Sequence, residues 1–219
     1  MRRVKLQHSV ATAVEPSERV METAAMFGLG VDEQRSIQIV SPCEIPLPPG
    51  GVVFITGPSG GGKSTLLRLI EQESRADGLC VIRFDDLPEL GDRPLVDAFD
   101  ISLGETMALL AMAGLGDAFV MLRKPSELSD GQRYRLRLAQ TIDLAQRSSS
   151  SAVILADEFA ATLDRQTAQV IARNVRRWTR KTTHTFIPAT THDDLLEALE
   201  PDVLVSKGLG DQLEVLTRC

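Results

Sequence analysis

The chain is poor in cysteine. Its 219 residues carry three, Cys43, Cys80 and Cys219, far apart and odd in number. None forms a C-x-x-C pair, so a disulfide framework or zinc ribbon is excluded as an organising device, and a reducing, cytoplasmic setting is expected. Aromatics are scarce too, at 4%. The apolar content is Leu, Val, Ile and Ala, which suits a sheet with helices on its faces. A basic excess is missing: the net charge is −6, which gives no general attraction to nucleic acid or anionic membrane. No apolar run approaches a membrane span. Met1-Arg2-Arg3-Val4-Lys5 is basic, but no apolar signal core follows it. The chain is expected not to enter a membrane by itself. One local exception in charge is Arg173, Arg176, Arg177, Arg180 and Lys181, gathered on one expected helix. A solvated face is the expectation there, a nucleic-acid patch the alternative.

What the chain does have is Gly57-Pro58-Ser59-Gly60-Gly61-Gly62-Lys63-Ser64-Thr65, which fits the phosphate-loop pattern G-x-x-x-x-G-K-[ST]. Val52-Val53-Phe54-Ile55-Thr56 before it reads as a buried strand, and Leu66-Leu67-Arg68-Leu69-Ile70-Glu71 after it as an amphipathic helix. Glycines let backbone N–H groups approach phosphates without a Cβ in the way. The helix adds its own unpaired N–H groups and the positive end of its dipole. Lys63 is the candidate ligand of the terminal phosphates, and the Ser64 hydroxyl a hard ligand for Mg²⁺. These features point to a nucleoside triphosphate with Mg²⁺.

Other segments read as follows. Residues 1–14 suggest a strand with a loop. Glu15-Pro16-Ser17 starts a helix with Val20, Ala24 and Phe27 on one face. Ile37–Val40 is a strand, and Pro42–Gly51 a turn. Leu79–Phe84, Ala152–Ala156, Thr185–Thr190, Val203–Val205 and Leu213–Leu216 are strands. Helices are expected over Leu103–Leu115, Gly131–Gln146 and Arg165–Arg180. A single domain, 1–219, is expected, with a helical subdomain at about 98–145 inserted in it.

Four segments complete the constellation. Ala152–Ala156 ends in Asp157 and Glu158. Asp157 is the candidate to hold Mg²⁺ through water, and Glu158 to activate the attacking water. Leu128-Ser129-Asp130-Gly131-Gln132 opens a helix with an anion-binding nest. Ala161-Thr162-Leu163-Asp164 follows the carboxylates. His192, in Thr190-Thr191-His192-Asp193-Asp194, is placed to hydrogen-bond a γ-phosphate. His8 and His184 have no such setting and receive no role.

In this order the segments resemble the ATP-binding cassette (ABC) ATPases, over about Ile37–Val205. Gly57–Thr65 is similar to their Walker A motif and Val153–Glu158 to Walker B. Leu128–Gln132 resembles the signature, Ala161–Asp164 the D-loop and His192 the switch histidine. The resemblance implies an α/β P-loop NTPase fold of the ABC type. Its central sheet would be mostly parallel, with helices on both faces and a short helical subdomain. It also implies a head-to-tail, ATP-dependent homodimer, in which Ser129, Gly131, Gln132 and Asp164 of one copy complete the site of the other. Glu158, His192 and Lys63 are then the catalytic set, and Ser64, Asp157 and Asp97 the metal set.

The chain departs from the family pattern in places. Asp130 stands where the signature has glycine, and is expected to point away from phosphate. No glutamine occurs between Gln72 and Gln132 to supply the Q-loop. Asp97, in Arg93–Phe99, stands in for it or is a plain helix cap. Phe27 is a candidate to stack on adenine, with core packing the favoured reading. The stretch between Asp97 and the signature is short for a transporter ATPase. Leu128–Arg135, Pro94–Phe99 and Thr190–Leu195 look more like a soluble group of ABC-type ATPases, some fused to a predicted acetyltransferase domain for which this chain has no room. The resulting expectation is a soluble, Mg²⁺-dependent ATPase that dimerises on ATP and drives or gates an unidentified protein partner. A transporter subunit, a DNA- or RNA-associated ATPase and a slowly hydrolysing nucleotide-gated clamp are the alternatives.

Overall fold

In the computed structural model, which describes residues 2–12, 15, 17–30 and 35–218, the apolar runs become sheet strands. Cys219 and Pro16 lie outside the described residues. The elements in chain order are β1 (Arg2–Thr12), α1 (Glu18–Met26), β2 (Arg35–Leu47), β3 (Val53–Thr56), α2 (Lys63–Ala76), β4 (Cys80–Arg83), α3 (Leu103–Met112), α4 (Ala118–Met121), α5 (Asp130–Arg147), β5 (Ala152–Ala156), α6 (Arg165–Thr179), β6 (Thr185–Thr190), α7 (Leu196–Leu199), β7 (Val203–Lys207) and β8 (Leu213–Thr217).

Six strands form one sheet in the order β4-β5-β6-β3-β7-β8. All neighbours in it are parallel except β7 and β8. Alternation along each strand feeds two cores. Val52, Phe54, Ile154, Ala156 and Phe186 face the side of α3, α5 and α6. Val53, Ile55, Val153, Leu155 and Ile187 face Leu66, Leu67 and Ile70 of α2 and the ribbon of β1 and β2. Burial on both faces explains the uninterrupted apolar runs. Each fully buried side chain contributes roughly 1.5–3 kcal/mol before entropy is counted. The expected α/β architecture, with a mostly parallel sheet and helices on both faces, is what forms.

Prolines behave in two ways. Pro188 sits inside the central strand β6, yet β6 is bonded to β3 only from Ala189 onward, beyond an isolated Val52–Phe186 bridge. The ladder is interrupted where the proline lacks its N–H. Pro42–Gly51, expected as a turn, is mostly strand: β2 runs to Leu47, antiparallel to β1. The register shifts between Leu6–Cys43 and His8–Val40. Pro42 therefore falls in a bulge, and the two-stranded ribbon needs no further N–H donors from it.

A further expectation is corrected. The stripe of α1 is not core: none of its residues is buried, and Phe27 at its end is 74% exposed. An apolar stripe becomes core only where another element covers it. The solvated basic face expected of α6 holds except at Arg176. Arg173, Arg177, Arg180 and Lys181 are exposed, but Arg176 is only 6% exposed. Its guanidinium donates to Asp202 at 2.7 and 3.0 Å, and Asp202 also accepts from the Val52 N–H at 2.8 Å.

Candidate functional site

Thr56 ends β3, and the chain turns at Gly57 with φ +146°, Gly60 with φ +74° and Gly62 with φ +94° before α2 begins at Lys63. Glycine is required most clearly at Gly57, where a Cβ would lie 1.9 Å from the Lys207 carbonyl oxygen. Lys63 Nζ donates to the carbonyls of Gly57 and Pro58, both at 2.8 Å. This folds the side chain back over its own loop, and Gly61 N–H closes the loop onto Pro58 O at 3.1 Å.

Asp157 follows β5 directly. Its Oδ1 accepts from the Glu158 N–H at 3.0 Å. Glu158 and Ala160 hold left-handed backbone, φ 46° and 60°. Such strain in non-glycine residues costs on the order of 1–3 kcal/mol each and persists only where neighbours enforce it. The neighbours are Ala189 O, accepting from Phe159 N–H at 2.9 Å, and Tyr134 Oη, accepting from Ala160 N–H at 2.7 Å. Burial pushes the Tyr134 phenol upward, only partly opposed by that Ala160 hydrogen bond.

These two turns share one cavity of about 550 Å³. Ser59, Gly60, Gly62, Lys63, Ser64 and Thr65 line one wall; Asp157, Glu158 and Ala161 line a second; Thr190 and Thr191 close the rim. The sheet order explains the meeting, since β6 alone separates β3 from β5. His192 is partly exposed at that rim, its N–H bonded to Thr190 Oγ1 at 3.2 Å. Its side chain is not part of the cavity wall. Asp193 is tied to Thr56 through its carboxylate, and Asp194 accepts from Arg165 Nε at 2.9 Å.

The signature-like segment lies apart from this wall. Ser129 caps α5: its Oγ accepts from Gln132 N–H at 3.3 Å, and Gln132 Oε1 accepts from Ser129 N–H at 3.0 Å. Both groups face solvent. Asp130 is held by Arg133 at 2.6 Å, which neutralises its charge. Gly131 sits against the D-loop-like segment, where an added Cβ would be 3.5 Å from Leu163 Cδ2. Asp164 caps α6 by accepting from Thr167 N–H at 2.9 Å, and these hydrogen bonds hold its carboxyl below the usual range. Asp97 is exposed on the 3-10 turn Leu95–Asp97 and does not line the cavity.

Three residues passed over in the sequence lie around the site, and a fourth, His184, supports the opposite end of the sheet. Asp85 follows β4 beside the carboxylate turn. Partial burial pushes its carboxyl up, Arg83 opposes the shift, and the charge of Asp157 reinforces it. Its position directly after the strand ending at Phe84 was the available signal. Lys207 is fully buried behind the glycine loop and donates to Gly208 O at 2.9 Å and Gly210 O at 2.6 Å. Desolvation lowers its pKa. The inward register of Val203, Val205 and Lys207 on β7 marked it. Tyr134 carried no local signal, because its partner is 26 residues away. His184, assigned no role, is buried; its Nδ1 accepts from Ala152 N–H at 3.0 Å, and its ring stacks 5.7 Å from Trp178.

Ser64 and Asp157 place hard oxygens in one cavity, although no group of three or more His, Cys, Asp or Glu forms among the described residues. Nor is any described helix long and apolar enough to cross a membrane.

No family model matches the chain. It is 27% identical to a sulfate/thiosulfate import ATP-binding protein CysA of Bacillus cereus, over 84% of this chain and 59% of that protein. It is 28% identical to the CysA of Synechococcus elongatus, over 89% of this chain and 61% of that protein. The chain thus spans about 60% of the length of these curated relatives. A solved dimer of MJ0796, a bacterial ABC transporter cassette, matches with a TM-score of 0.63 and 18% identity, covering 100% of both chains. The post-hydrolysis dimer of MJ0796 with ADP and Pi matches with a TM-score of 0.60 and 19% identity, over 99% of this chain and 100% of that one. The fold is that of an ABC ATPase cassette.

Proposed function

We propose that this chain is a Mg²⁺-dependent ATPase of the ABC type, cytoplasmic, acting as a head-to-tail dimer that closes on ATP. One observation carries the reading most: the glycine loop with Lys63 and Ser64 shares a cavity with Asp157 and Glu158. The donor set fits the ligands. Gly60 and Gly62 bring left-handed backbone to the wall without a Cβ. Ser64 and Asp157 supply the oxygen ligands that Mg²⁺ prefers. When bound there, the metal would offset phosphate charge.

The chain's own residues then have separable tasks. Lys63 exchanges its loop carbonyls for the terminal phosphates. The amides of Gly60–Thr65 and the α2 dipole hold the remaining oxygens. Glu158 orients a water oxygen and takes its proton. His192 turns inward to hydrogen-bond the γ-phosphate. Ser129, Gly131 and Gln132 present a solvated helix start, which supports their engaging the nucleotide of a second copy, with Asp164 beside the shared boundary. Asp130, neutralised by Arg133, adds little repulsion. Asp97 and Asp85 both lie outside the cavity lining, so Asp97 would serve the metal's outer sphere only through a movement of its turn. An exposed Phe27 is available to an adenine ring.

The similarity to CysA import proteins favours a second reading, the ATPase subunit of an importer. The short stretch between Asp97 and Leu128 instead favours the soluble group and an unidentified protein partner. The nucleic-acid reading loses Arg176 from its basic patch, since Asp202 occupies that side chain. The test is Glu158→Gln. Turnover is expected to fall about 10²-fold or more, with ATP binding kept and a dimer trapped on ATP in gel filtration. Unchanged turnover would remove Glu158 from the mechanism, and a membrane protein co-purifying with the trapped form would favour the importer.

A further inference from the structure

The carboxylate turn holds two side-chain-bearing residues, Glu158 and Ala160, in left-handed backbone within three positions. Ala160 is fully buried, so water cannot satisfy its N–H. The acceptor is the hydroxyl of Tyr134 at 2.7 Å. Tyr134 lies in the second turn of α5, the helix whose exposed start carries Ser129, Gly131 and Gln132. Its ring is fixed by Phe84, with centroids 4.8 Å apart, just ahead of Asp85. One turn earlier on the same helix, Gly131 faces Leu163 closely enough that an added Cβ would touch it at 3.5 Å. The helix start and the carboxylate turn are therefore joined at two points, one of them a hydrogen bond to strained backbone.

We infer that Tyr134 is a positioning residue: by holding Ala160 N–H it sets the backbone that aims Glu158 into the cavity, and it ties that aim to the seat of α5. The inference rests on the proposed ATPase reading and deepens it. Tyr134 touches no reacting atom. Without its hydroxyl, Ala160 loses its buried acceptor and the turn relaxes toward right-handed backbone, carrying Glu158 with it. Anything that shifts the start of α5, such as nucleotide held by a second copy, acts on Glu158 through the same hydroxyl.

The experiment is Tyr134→Phe, which keeps the ring on Phe84 and removes one oxygen. The kcat for ATP is expected to fall about tenfold or more, within the range of a mispositioned base. KM should stay within about twofold, because the phosphate loop is untouched. Amide exchange over residues 157–163 should quicken about tenfold, a local opening rather than global unfolding, and the melting temperature should show that the variant is folded. A kcat equal to that of the parent, or a raised KM with unaltered kcat, would overturn the inference while the ATPase reading stood. Unchanged exchange over 157–163 would overturn it at the level of structure, whatever the turnover. A parent protein whose turnover is indifferent to Glu158→Gln would instead overturn the ATPase reading and the role of Tyr134 with it.

Discussion

The two ends of the central sheet face the same physical problem and answer it oppositely. Each strand end leaves backbone donors without a ladder partner. At the carboxyl ends of β3 and β5, left-handed glycines and the strained carboxylate turn line an open cavity of about 550 Å³. At the amino ends, side chains from elsewhere plug the gaps. Asp202 accepts from Val52 N–H at 2.8 Å and His184 from Ala152 N–H at 3.0 Å. Arg176 and Trp178 of α6 brace those two acceptors. One end leaves a cavity open, whereas the other fills its gaps with side chains. Substitutions at the first should alter nucleotide chemistry, and substitutions at the second should alter melting.

The largest effect is expected where the open end meets backbone. Gly57→Ala places a methyl 1.9 Å from Lys207 O at φ +146°, so the loop cannot close as it is. Nucleotide binding should vanish. Destabilisation should reach about 2–4 kcal/mol, lowering the melting temperature by roughly 5–15 °C for a chain of this size. Retained ATP binding would show that the loop has an alternative shape.

Asp202→Asn tests the closed end. Burial alone would raise the Asp202 carboxyl, but the hydrogen bonds from Arg176 and Val52 N–H outweigh it and hold the pKa below normal. A depressed carboxyl contributes stability above its unfolded pKa and loses it as the pH falls through the folded one. The pair should thus be at full strength at pH 7 and fade in the acid range below about pH 4. Removing the charge strands the Arg176 guanidinium. The loss should be about 2–4 kcal/mol, discounted because the Asp202 side chain is 35% exposed. ATP affinity should not move; a parallel loss of affinity would break the division between the ends. Lys63→Ala is the reverse case. Affinity for ATP should fall by about 1.5–3 kcal/mol, roughly 10- to 150-fold, the value of a charged hydrogen bond. Melting without nucleotide should change by under about 0.5 kcal/mol.

The open end was largely legible because it is written locally. Glycine spacing, one lysine and a strand ending in two acids are contiguous signals. The sheet was legible for the same reason: parallel strands buried on both faces read as apolar runs. The closed end was not legible. His184 acts on Ala152, and Arg176 on Asp202 and through it Val52, so each role depends on a residue far away in the chain. Arg176 looked like a solvated charge because helical periodicity cannot reveal a carboxylate arriving from the start of β7. Phe27 misled in the opposite sense, since an apolar stripe does not say whether anything covers it. Pro42 was read as a breaker because a bulge in a two-stranded ribbon leaves no trace in composition. The carboxylate turn is intermediate. Its acids were visible, but the left-handed backbone at Glu158 and Ala160 falls on residues that ordinarily avoid it, and the hydroxyl holding it comes from another helix.

The smallest expected effect separates the two ends by pH. Burial lowers the pKa of His184 by desolvating its charged form, and its Nδ1 accepts from Ala152 N–H. A base with a depressed folded pKa binds fewer protons folded than unfolded. Its contribution is complete above the unfolded value near 6.5 and is lost as the pH falls through the folded one. Between pH 7.5 and 5.5 the melting temperature should drop by a few degrees at most, with a share on the order of 1 °C from this ring. In His184→Asn, where an amide oxygen takes over the acceptor, that share should disappear. Turnover per folded molecule should be the same in both proteins at pH 7.5, because the ring lies at the far end of β5 and β6 from Glu158. A turnover that follows the His184 titration would mean that the closed end communicates with the cavity through those strands, and the separation of stability from chemistry would fail.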